Sequence, residues 1–150
     1  MKKYILILPM LALLFLACGD VKTTVFTKSF DESSEVVSDR VFTLAKECWE
    51  NPNKKIGDVK VTGLTTGETY KTKITQESVK EGTKIGAHYD VYDSDGKLKI
   101  NQRTKPPYAS IVTIIINDES NGSKATIESL DESAASEVKY WLDYNACRDN

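Results

Sequence analysis

The chain has 150 residues, 20 of them basic and 22 acidic, for a net charge of −2. That length suits one compact domain and is short for two. The acidic balance argues against a general nucleic-acid binder, which would be basic overall.

Lys2 and Lys3 open the chain, and Tyr4 to Ala17 carry no charge. That is the layout of a secretory signal, a basic start followed by an apolar run. The run is shorter than the ~20 residues a spanning helix needs and contains Pro9. It therefore predicts export rather than a membrane-spanning anchor. It ends at Leu14-Phe15-Leu16-Ala17-Cys18, after which Gly19 and Asp20 turn polar. This junction resembles the lipobox of bacterial lipoproteins, with small Ala17 directly before the cysteine. Phe15 and Leu16 are apolar but differ from the family's commonest choice, Leu and then a small residue. The resemblance implies cleavage before Cys18, a diacylglyceryl thioether on its sulfur and an acylated new amino terminus. Two or three acyl chains such as palmitate exceed the marginal hold of one. Gly19 stands where an acid would favour the inner membrane, so the family's sorting rule points to the outer membrane, facing the periplasm. A signal peptide of residues 1–17 and an anchored domain of residues 18–150 follow. Loss of Lys2 and Lys3 brings the mature balance to −4.

A strand is expected over residues 21–30. Val37, Val41, Leu44, Ala45 and Cys48 then recur at helical spacing and predict a helix from about Ser33 to Glu50. Asp31, Ser33 and Ser34 are cap candidates, and Asn51-Pro52 is the expected stop. Next the apolar pattern changes to period two, broken by turn signals at Thr66-Gly67, Asp95-Gly96 and Asn121-Gly122. These predict three registers: Val59 opposite Ile74, Val91 opposite Ile100, and Ile116 opposite Ile127. A second helix is expected from Glu132 to Asn145, capped by Asp131, with Ala134, Ala135, Val138, Trp141 and Leu142 on one face. Cys147 would fall on its far side, so the helix should end first and the tail fold back.

The predicted order is strand, helix, about six antiparallel strands, helix. It reads as an α+β domain with two helices on one face of an antiparallel sheet. On element order alone this looks like the helix-grip type of fold. If Cys18 carries lipid, Cys48 and Cys147 remain as an even pair in an oxidising compartment, where a disulfide is expected. The rivals are a metal site and a catalytic thiol. Two cysteines and the lone His88 do not supply a tetrahedral ligand set at any recognised spacing.

Nothing in the sequence calls for a cofactor. Asp93-Ser94-Asp95-Gly96 has a hint of a calcium loop, but Val91 occupies the place of the first ligand and a hairpin turn is expected. His88 has no Ser or Cys nucleophile elbow to serve and reads as part of a polar sheet face. The three registers place Lys60, Lys73, His88, Asp90, Tyr92, Lys99, Arg103, Ile111, Thr113, Ile115 and Glu128 on the face the helices leave uncovered. Lys60 and Lys73 would lie directly opposite, and facing like charges destabilise a strand pair. With Ile111 and Ile115 as an apolar stripe, the face suits an acidic partner. The expectation is a non-enzymatic envelope lipoprotein, held to its membrane by lipid and binding an envelope protein through this face. The second reading is a carrier of an apolar small molecule between helix and sheet.

Overall fold

A computed structural model of the chain describes residues 23–50, 54–59, 61, 64–80, 82–101 and 110–148. Its elements are β1 (Thr23–Phe30), α1 (Ser34–Trp49), β2 (Thr69–Val79), β3 (Gly82–Tyr92), β4 (Leu98–Asn101), β5 (Val112–Glu119), β6 (Gly122–Ser129) and α2 (Glu132–Tyr144). The six strands form one open antiparallel sheet in the order β1-β6-β5-β3-β2, with β4 also paired to β3. β2 takes one side of β3 along its whole length. On the other side, β5 pairs with Thr83–Ala87 and β4 with Asp90–Tyr92.

Both helices form where periodicity and caps agree. The Ser33 hydroxyl accepts the Val36 N–H, and Glu35 in the first turn and Lys46 in the last complement the helix dipole. The Asp131 carboxylate accepts the Ala134 N–H at 2.8 Å, and Asn145 closes α2 in the left-handed conformation, φ 52°. The predicted stripes are the buried ones, from Val37 to Cys48 on α1 and from Ala134 to Trp141 on α2. Beyond Asn145 the tail turns back and Cys147 joins Cys48, with 5.4 Å between the Cα atoms. Asn51-Pro52 and Cys18 lie outside the described residues.

Between helices and sheet, Trp49 and Trp141 meet edge to face at 4.3 Å. The Trp49 indole N–H donates to Glu137 Oε2 at 2.6 Å. Burial raises the Glu137 carboxyl above the ordinary glutamate value, although the Trp49 bond opposes the shift. Ile85, Ala87, Tyr89, Ile114, Ile116, Ala125 and Ile127 form the sheet's contribution to the same core. The Tyr89 hydroxyl accepts the Ile56 N–H at 2.8 Å and donates to the Val59 carbonyl at 3.2 Å. The segment after α1 is thereby sealed onto the core. Gly57 makes this possible: its φ is +55°, and a Cβ there would stand 2.2 Å from Asp131 Oδ1.

Three expectations about the strands change. Residues near Thr66-Gly67 do turn, with the Glu68 N–H bonded to the Thr65 carbonyl, but Val59 is not in a strand. Ile74 pairs with Ala87 instead, because β2 forms its hairpin with β3 through Val79 and Gly82. Five strands rather than six therefore separate the helices among the described residues. At the last hairpin Ile127 faces Ile114 and Ile116 faces Ala125, two residues off the expected register. Gly122 has φ 129° and Asn121 has no positive φ, so the primed turn that needs both does not form. The Asp95-Gly96 hairpin keeps Val91 opposite Ile100, but the register shifts next to the turn and sets Tyr92 opposite Leu98. Asp93 Oδ1 accepts the N–H groups of Asp95 and Lys97 there, which makes the acidic loop a turn.

Candidate functional site: the groove at the edge of β2

β2 alternates in register with β3, and the alternation sorts its side chains. Tyr70, Thr72 and Ile74 share the helix-facing side with Val91, Tyr89 and Ala87. Lys71, Lys73, Thr75 and Glu77 project from the outer face, opposite Asp90, His88, Gly86 and Lys84. A groove of about 560 Å³ follows the outer edge of β2 and reaches round to this face. Glu50 and Lys54 form one wall, Thr69–Lys73 the floor, and Asp90 and Tyr92 the far side. Three lysines against two carboxylates leave it with one excess positive charge. The Lys71 ammonium lies 5.1 Å from the centre of the Tyr92 ring, a cation–π contact.

Glu50, the C-cap residue of α1, reaches across to the strand. Its Oε1 accepts the Ile74 N–H at 3.1 Å and lies 4.0 Å from Lys73 Nζ. The Ile74 N–H must therefore point away from β3. In an antiparallel ladder the backbone groups of Tyr70, Thr72, Gln76 and Ser78 then point the same way. No described strand pairs with that side of β2.

The expected face is only partly open. Lys73 and Tyr92 come together in the groove. His88 is fully buried and Asp90 nearly so, with His88 Nε2 3.3 Å from Asp90 Oδ1. Thr113 is buried too. A physical reason is at hand, since a Cβ on Gly86 would stand 2.6 Å from the Ser110 hydroxyl. The chain entering β5 thus lies over Gly86, two residues from His88 and directly opposite Thr113. Ile111 belongs to the core rather than the outer face. The chain bends there, its N–H bonded to Ala87 and its carbonyl to Leu130, so strand alternation does not extend to it. Ile115 is half-buried on the outer face, opposite Lys84 and Thr126, and Glu128 is half-buried opposite Thr113. Lys99 is committed elsewhere: its ammonium bonds Glu68, whose carboxyl that bond and the Thr65 N–H hold down at about 2. Lys60 and Arg103 lie outside the described residues. In the described sheet the residue opposite Lys73 is His88; the expected facing of Lys60 on Lys73 involves a residue outside the described ones.

Sequence reasoning missed Lys71, Glu50, Lys54, Tyr70 and Thr72. Period two would have paired Lys71 with Lys73. The approach of Glu50 to the strand edge is tertiary and has no local signal. Among the described residues no cluster of His, Cys, Asp and Glu could hold a metal ion, and no helix is long and apolar enough to cross a membrane. Comparisons with family models, curated proteins and solved structures find no match for the chain.

Proposed function

We propose that the chain is a lipid-anchored lipoprotein of the bacterial cell envelope, attached through Cys18, whose domain binds another envelope component without catalysing a reaction. The observation that carries the binding reading is the groove beside Thr69–Lys73, where Lys71, Lys73 and Tyr92 stand together at a strand edge. Clustered ammonium groups beside an aromatic ring in an otherwise acidic protein suit an acidic partner. The space between the helices and the sheet is occupied by Trp49, Trp141, Tyr89 and Ile56, all essentially fully buried. That filling favours a protein binder over a carrier of an apolar molecule. The placement at the outer membrane, facing the periplasm, rests on Gly19 following the lipidated cysteine.

Two measurements test the proposal. Metabolic labelling with an alkynyl fatty acid should mark the wild type and miss Cys18→Ser; equal labelling would end the anchored reading. A crosslinking pull-down from native membranes should lose its partner when Lys71→Glu and Lys73→Glu are combined in protein shown to be folded by circular dichroism. An unchanged set of crosslinked proteins would leave the groove as solvated surface.

A further inference from the structure

β2 is eleven residues long and pairs with β3 without a bulge or a register shift. It contains no proline. A strand of this kind at a sheet edge is a template for another strand unless something blunts it. Here the described blunting devices are its lysines and the single Glu50 carboxylate on the Ile74 N–H. Two of the five large hydrophobic side chains that the described structure leaves exposed, Tyr70 and Val79, also lie on this strand, at opposite ends.

We infer that the edge of β2 pairs antiparallel with β2 of a second copy of this chain, about a twofold axis through Thr75. The charge pattern selects both the partner and the register. With Thr75 opposite Thr75, Lys73 of each copy faces Glu77 of the other, twice by symmetry. Within each copy Glu77 already lies opposite Lys84. The row across the interface then runs Lys84, Glu77, Lys73, His88, with Glu77 between two lysines. On the other face Ile74 meets Gln76 and Thr72 meets Ser78, and these even-numbered residues are the ones whose backbone groups point outward. Val79 comes to lie opposite Lys71, and Tyr70 opposite Lys80, so both ends of the strand lose exposed apolar surface.

Neighbouring registers are worse. Centring the axis on Lys73 sets lysine on lysine, and centring it on Glu77 sets glutamate on glutamate. An axis at Ile74 would bring together the two Glu50 carboxylates that cap the Ile74 N–H groups. One at Gln76 moves Lys73 opposite Val79 and loses the pairing with Glu77. In the Thr75 register the Gln76 carbonyl of the second copy takes the Ile74 N–H, and Glu50 is released toward Lys73, 4.0 Å away in the single copy.

Site-specific disulfide trapping tests the pairing in the full chain, in membranes and in detergent. Residues at a non-hydrogen-bonded position on a twofold axis bring their Cα atoms to roughly 4.5 Å. Thr75→Cys should therefore crosslink to a dimer several-fold more than Gln76→Cys; any background from Cys18 is common to both. Glu77→Lys, which leaves the groove residues intact, should reduce the Thr75→Cys dimer several-fold, and adding Lys73→Glu should restore it. Sedimentation of the unmodified chain should show a dimer that dissociates on dilution. Equal trapping at both positions, a monomer at every concentration, or a Thr75→Cys adduct with a different protein would each overturn the pairing with a second copy. Because Glu77 is outside the groove, a failure here would leave the partner pull-down with Lys71→Glu and Lys73→Glu unaffected.

Discussion

The two edges of the sheet are built differently. β1 is eight residues long and carries a bulge between Thr24 and Phe26, where two of its residues oppose one of β6. Its Lys28 reaches to the end of α2, bonding the Leu142 carbonyl at 2.8 Å and Asp143 at 2.6 Å, while Phe26 and Phe30 pack on the core. A bulge breaks the ladder and twists the strand, which discourages further pairing. β2 is longer and regular, exposed along most of its length, and pinned by one carboxylate. The same sheet thus ends on one side in a closed seam and on the other in a regular strand whose outer edge no described strand covers. Phe26 and Phe30 of β1 pack on the core, as does Ile74 of β2; Lys71, Lys73 and Tyr92 stand together beside β2.

The largest expected effect comes from removing what both edges share. Replacing Cys48 and Cys147 with serine opens a link between residues 99 apart and should cost about 2–5 kcal/mol, as for native bridges in small secreted domains. Chemical denaturation of the soluble domain measures it. A change below about 0.5 kcal/mol, the range of ordinary surface substitutions, would show that the bridge does not hold the tail to α1.

Glu50→Ala and Lys28→Ala separate the edges. At a dilution where the chain is monomeric, Glu50→Ala should cost about 1 kcal/mol, the worth of one partly buried hydrogen bond, and speed hydrogen exchange at the Ile74 amide. It should also strengthen self-association, since the Ile74 N–H is then free for a second copy. Lys28→Ala removes a solvent-screened ion pair, should cost less than Glu50→Ala and should leave exchange at Ile74 unchanged. Equal effects of both changes on Ile74 would erase the distinction between the edges.

The smallest effect is a slope with pH. Burial raises the Glu137 carboxyl above its ordinary value of 4.5, so the folded state holds that proton more tightly than the unfolded chain does. The contribution is complete below 4.5 and is lost as pH rises through the raised folded value. Glu137→Gln keeps an acceptor for the Trp49 indole and has no proton to lose. The wild type should therefore lose stability relative to this variant as pH rises from 4.5 toward neutrality. A difference in melting temperature that is constant with pH would contradict the assignment.

Local cues were sufficient for the helices. Ser33 and Asp131 cap where the apolar stripes begin, and Cys48 on the α1 stripe together with Cys147 beyond α2 anticipated the link between them. The Asp95-Gly96 turn set Val91 opposite Ile100 correctly because its two flanks are neighbours in the sheet, joined directly through the turn. The site was less legible. Thr66-Gly67 outweighed the plain Val79-to-Gly82 connection as a turn signal, yet Ile56 and Val59 engage Tyr89 and the core. That long-range competition moved the partner of β2 from one side of the chain to the other. Alternation placed His88 and Thr113 on the outer face but could not reveal that Ser110 crosses over Gly86 beside them. For Ile111, a bend just before β5 ended the alternation.

Photocrosslinking from the two edges tests most directly that β2, and not β1, is where this molecule meets others. A photoreactive residue would replace Gln76, exposed on β2, in one version of the chain and Ser29, exposed on β1, in another, each irradiated in native membranes. Crosslinks from position 76, to a second copy or to an envelope protein, with none from position 29, are the predicted result. Crosslinks from position 29 alone, or silence at both, would contradict the account.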